Sequence, residues 1–118
     1  MYDETSLAAW IEKMAINREN AIQFDRRAQF DGLSLRRRIL YFRNITRINK
    51  VLNKDFREFR QEDVDTFFIF LRNHPYADET KRCTWIIFRK IIKHFAKLKF
   101  NRYKLFLKKK YKHGVAKF

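Results

Sequence analysis

One cysteine, one proline and two glycines in 118 residues leave little of the chemistry that several protein classes require. A lone Cys83 excludes an internal disulfide and favours an intracellular protein, cytoplasmic or nucleoid-associated. The three histidines and single cysteine lack the paired spacings that zinc needs, so no metal is expected. Gly32 and Gly114 cannot form a phosphate-cradling loop, and nothing else points to a cofactor or a small-molecule substrate. So few turn residues leave no Asn-Gly or Asp-Gly hairpin between alternating runs; the one Asp-Gly, Asp31-Gly32, separates helical patterns. The longest apolar runs, such as "TFFIFL", are too short to span a bilayer, and the start "MYDETS" is too polar for a secretory leader.

What is present is a core and a great deal of positive charge. Hydrophobic residues make up 46% of the chain, and phenylalanine occurs 13 times, enough for one domain without covalent staples. The net charge of +15 is unevenly distributed: 28 basic residues oppose 13 acidic ones. Residues 33–54 hold seven basic side chains and residues 80–118 hold fourteen, with no acid in either block. The remaining segments are net acidic. Such segregation repels itself unless a polyanion completes the surface, so nucleic acid is the first partner class and an anionic membrane the second.

Hydrophobic period and capping signals predict an all-α bundle of four to five helices over residues 1–98, followed by a basic helix or linker at 99–118. Ser6 is expected to cap a first helix that buries Leu7, Trp10, Ile11 and Met14. Asn17 is expected to cap a second, with Ala21, Phe24 and Ala28 inward. Gly32 ends that helix and Ser34 starts a third, whose stripe of Leu35, Ile39, Phe42, Ile45, Ile48 and Leu52 stops at Asn53. Acidic residues at 61–63 open a fourth helix burying Val64, Phe67, Phe68 and Leu71, and ending before His74-Pro75. Asp78 is expected to cap a fifth helix to Leu98, with Thr84, Trp85, Phe88, Ile91, Ile92 and Phe95 on its core face. Residues 101–112 read as helical and the last six as frayed.

On a helical wheel at 100° per residue, Arg36, Arg43, Arg47 and Lys50 form one row beside the apolar stripe of the third helix. Arg82, Arg89, Lys93 and Lys97, with Lys90 alongside, form a row on the fifth. An ordinary solvated helix mixes charges of both signs along its exposed face, and within residues 33–54 and 80–118 these rows meet no acidic i, i+4 partner. Rows on two packed helices can follow phosphates while residues between them reach base edges.

The residues of these helices resemble a known family. The run Asn17-Arg-Glu-Asn, Phe24, Phe30-Asp-Gly32-Leu33-Ser34, then "RRRILYF", "NKDFREFRQEDVDTFF" and "DETKRCTWIIFRKIIKHF" is similar to the core-binding domain of tyrosine recombinases, including the phage-type and archaeal-type integrases. The resemblance covers about residues 17–98. It departs from many relatives at His94, where they carry Trp. It implies an orthogonal, SAM-like bundle forming the non-catalytic half of a clamp on duplex DNA, with residues 34–52 and 79–98 in the major groove. The basic rows and the resemblance together make Arg36, Arg37, Arg43, Arg47, Lys50, Lys81, Arg82, Arg89, Lys90, Lys93 and Lys97 the expected DNA contacts, and their places near helix N-termini make Arg36, Arg37 and Arg82 the expected base readers.

In that family a second domain carries the Arg, Lys, His-x-x-Arg, His or Trp, and Tyr set that cleaves DNA. This sequence has no His-x-x-Arg, and Tyr103 and Tyr111 lack partners to activate them. The chain by itself is therefore expected not to be an enzyme. Two other functions compete with DNA binding: a free-standing regulator that binds a recombinase protomer through the acidic fourth helix and an exposed Phe70, and a membrane-surface protein using "FNRYKLFLKKKYKHG" as a basic amphipathic helix. The second leaves the basic row of residues 34–52 without a role.

Overall fold

The computed structural model describes residues 3–98. Five α-helices fill it: α1 (Glu4–Glu12), α2 (Arg18–Phe30), α3 (Leu35–Leu52), α4 (Gln61–Asn73) and α5 (Asp78–Ile91), and the described residues contain no strand. A 3-10 turn (Phe56–Glu58) lies between α3 and α4, and a π-turn (Ile92–Ala96) extends α5. The expected basic helix at 101–112 and the linker at 99–118 lie outside the described residues. No described helix is long and apolar enough to cross a membrane.

The turn at Gly32 adopts φ +82°, a conformation that glycine enters without steric cost. Ser34 then caps α3 by accepting from the Arg37 backbone N–H at 3.3 Å. Asn53 closes the helix in the left-handed region, φ 48°. At α4, the Asp63 carboxylate reaches back to the Arg60 backbone N–H at 2.7 Å and also receives the Lys54 ammonium at 2.9 Å.

Three helix starts differ from expectation. Asp3, and not Ser6, caps α1, accepting from the Ser6 backbone N–H at 2.9 Å; that bond holds the Asp3 carboxyl below its usual range. Ala77, and not Asp78, occupies the cap position of α5, with Asp78 and Glu79 in the first turn where the helix dipole favours them. Asn17 stands at the cap position of α2 but makes no side-chain cap bond, because its amide is used elsewhere. That amide donates to Asn49 Oδ1 (2.7 Å) and the Lys54 carbonyl (2.8 Å), and accepts from Asn20 Nδ2 (2.7 Å) and the Phe56 backbone N–H (2.8 Å). All four hydrogen-bonding positions of a buried amide are filled, which fastens the start of α2 to the loop leaving α3.

The core joins α3, α4 and α5 around Trp85, Phe56, Phe67 and Phe88, all fully buried. The expected inward residues of α4 are buried as a set, and those of α5 are buried as far as Ile92, with Phe95 half-buried. Phe56 and Phe59, outside any expected helix, also enter this core: Phe56 packs its ring at a tilt against Phe59 and Phe95, at ring distances of 5.6 and 5.5 Å. A smaller cluster of Leu7, Ile11, Ala21 and Ile39 seats α1 on α2 and α3. Phe70, expected to be exposed, is half-buried and packs in a column with Phe67, His74 and Tyr76.

Candidate nucleic-acid interface

The two basic helices are fastened to one another by a polar contact inside the core. Asn44 of α3 and Thr84 of α5 are both fully buried, and the Thr84 hydroxyl donates to Asn44 Oδ1 at 2.5 Å. Asn44 Nδ2 is satisfied by the Leu40 carbonyl one turn back, at 2.9 Å. The same Asn44 oxygen accepts from Arg47 Nη1 at 3.0 Å. A single buried amide therefore sets the contact between α3 and α5 and the direction of one cation in the α3 row.

Along α3 the expected contacts divide. Arg36, Arg37, Arg43 and Lys50 are exposed. Arg47 is half-buried: besides Asn44, its guanidinium lies 5.3 Å from the centre of the Tyr76 ring, and Tyr76 in turn stacks on His74 at 4.1 Å. The fifth arginine of the block, Arg38, turns inward and is 5% exposed. Its guanidinium takes Glu4 through two nitrogens, at 2.5 and 2.9 Å, and Asp25 through two, both at 2.8 Å. The hydrogen bonds it donates to Asp25 and then to Glu4 push its pKa above the ordinary arginine value, so it stays charged. Arg38 and Lys54 are thus compensated by acids from distant segments, a correction to the picture of an acid-free helix with no partners.

Arg89 and Lys90 of α5 and Lys93 of the π-turn are exposed, whereas the cations of the first turns of α5 are engaged within the molecule. Lys81 Nζ donates to the Arg72 carbonyl at 3.0 Å, and Arg82 pairs with Glu79 one turn back at 2.6 Å. Lys97 was expected to continue the row. The π-turn instead ends the helical register, and Lys97 sits in the left-handed region with φ 58°. Cys83 lies beside Arg82 early in α5; burial, followed by the neighbouring Glu79 carboxylate, pushes its thiol pKa up, so it is not an activated nucleophile.

Five of the exposed expected contacts fall in two patches, and Lys50 and Arg89 lie outside both. Arg36, Arg37 and Arg43 surround a shallow depression of about 450 Å³ on α3, with Ile39 and Leu40 in its lining. Lys90 and Lys93 line a separate groove of about 550 Å³ against α2, together with Arg27, His94, Phe24 and Tyr41. Arg27 was not among the expected contacts, since its own segment is net acidic and it pairs with Asp31 at 3.3 Å. Only the folding of α2 beside the end of α5 adds it to the patch. The described residues contain no cluster of His, Cys, Asp and Glu able to hold a metal ion.

Comparison with protein-family models, with curated proteins and with solved structures finds no match to this chain. The functional reading therefore depends on the geometry and the sequence pattern.

Proposed function

We propose that this chain binds duplex DNA and serves as the non-catalytic, clamp-forming part of a site-specific tyrosine recombinase or integrase. The observation that carries the reading is the exposure of Arg36, Arg37, Arg43 and Lys50 on α3, of Arg89 and Lys90 on α5 and of Lys93 in the π-turn that extends it, two helices held together by Asn44 and Thr84. Neither helix carries an acid beyond the Asp78-Glu79 start of α5. A fixed pair of cationic helices suits the double row of phosphates along a DNA groove, and the release of counterions would supply most of the affinity. The sequence resemblance over residues 17–98 assigns these same two helices to the major groove. With no His-x-x-Arg in the sequence, strand cleavage would belong to another domain.

The test is binding to short duplex DNA, to single strands and to anionic vesicles across a salt series. The variants are Arg36→Gln/Arg37→Gln and Lys90→Gln/Lys93→Gln. Duplex preference is expected, with a steep log–log salt slope that becomes shallower by about 0.9 for each phosphate contact removed. Equal affinity for all three ligands, or vesicle binding untouched by either variant, would overturn the reading.

A further inference from the structure

Among the described residues, five large hydrophobic side chains are exposed, and two of them, Leu40 and Ile86, stand inside the basic rows. Their settings match. Arg36, Leu40 and Arg43 follow one another at steps of four and three residues on α3, and Arg82, Ile86 and Arg89 repeat those steps on α5. These steps keep each aliphatic side chain in line with its cations on the helix surface. Leu40 and Ile86 are each 41% exposed. Leu40 also lines the depression bounded by Arg36, Arg37 and Arg43.

An aliphatic group fenced by guanidinium groups restricts what can cover it. An apolar protein surface or a lipid chain would have to strip water from the arginines without replacing it. The fitting ligand presents a small apolar group among anions. In duplex DNA that group is the C5-methyl of thymine, which projects into the major groove between the two phosphate rows.

We propose that Leu40 reads thymine through its C5-methyl in the major groove, with Ile86 the corresponding contact on α5. The proposal rests on the duplex-DNA reading and adds base selectivity to it. Arg36 and Arg37 position the helix, and Leu40 discriminates between bases.

The experiment begins by selecting bound sites from random-sequence duplexes. Each thymine of a selected site is then replaced by deoxyuridine, which removes the methyl and changes nothing else. Thymine is expected to be enriched, and its replacement at a contacted position is expected to weaken binding about three- to fivefold, the worth of one buried methyl. Leu40→Ala or Ile86→Ala should bring that ratio toward one at its own position, with the salt slope unchanged. Alanine at an exposed helical position favours the helix, so both variants remain folded. Undiminished binding to deoxyuridine duplexes would overturn the thymine contact and leave the DNA reading intact, as would a deoxyuridine effect that persists in both variants. Absence of duplex binding would overturn both.

Discussion

The hydroxyl of Thr84 donates to the side-chain oxygen of Asn44 across the interface between α5 and α3, 40 residues apart in sequence. Because Arg47 uses the same oxygen, the contact that packs the two helices also orients a cation at their junction. Thr84→Val keeps the shape and removes the donor. It is expected to cost about 1 kcal/mol by chemical denaturation and to weaken DNA binding more than an exposed Thr66→Val control.

Arg38 is expected to be the least replaceable arginine. Arg38→Met would leave Asp25, whose side chain is 16% exposed, without its cation, at a cost on the order of 3 kcal/mol. Adding Asp25→Leu should recover part of that loss, because no uncompensated charge then remains in the interior. A double variant as unstable as the single one would show that Arg38 acts through packing alone.

Asn17 and Asn53 both adopt positive φ, at 71° and 48°, yet they should respond oppositely to glycine. Asn53→Gly removes only the strain of a left-handed residue and is expected to be neutral, or stabilising by up to about 1 kcal/mol. Asn17→Gly relieves the same strain but vacates four hydrogen bonds, leaving the Phe56 N–H and the Lys54 carbonyl without their partner. Its expected cost is about 2–4 kcal/mol, read from the shift in urea midpoint.

Acid should act through Asp55. Its carboxylate accepts from the Arg57 backbone N–H at 2.8 Å and from Asn20, and that backbone bond is the main reason its pKa is held below the usual range. A carboxyl whose folded pKa is depressed contributes its stabilisation above the unfolded value and loses it as the pH falls through the folded one. Stability should therefore decline below about pH 4, and Asp55→Asn should flatten that part of the curve by lowering stability at pH 7 while changing little at low pH, where the wild-type carboxyl is protonated. An identical pH profile in the variant would show that other carboxylates govern acid unfolding.

By itself the sequence determined the helical class, most helix boundaries, the inward faces and the placement of charge. Those properties are local. Apolar residues recurring with a helical period specify a buried face, Gly32 and Ser34 specify a stop and a start, and charge blocks can be counted. The burial of Phe56 and Phe59 was not legible because three residues of 3-10 turn carry no helical period. Asn17 read as a cap, since nothing nearby shows that its amide faces Asn49 and Lys54, more than 30 residues away.

Only the tertiary structure decided which cations face solvent. Arg36, Arg37 and Arg38 are neighbours with the same chemistry, but successive residues on a helix point about 100° apart. That turn directs Arg38 onto Glu4 and Asp25 and leaves the other two outside. Likewise Arg47 meets Tyr76, Lys81 meets the end of α4, and Arg27 joins Lys90 and Lys93, because those surfaces come together only when the helices pack. The charge of a side chain is set by its chemistry, but its availability to a ligand depends on what the fold brings against it.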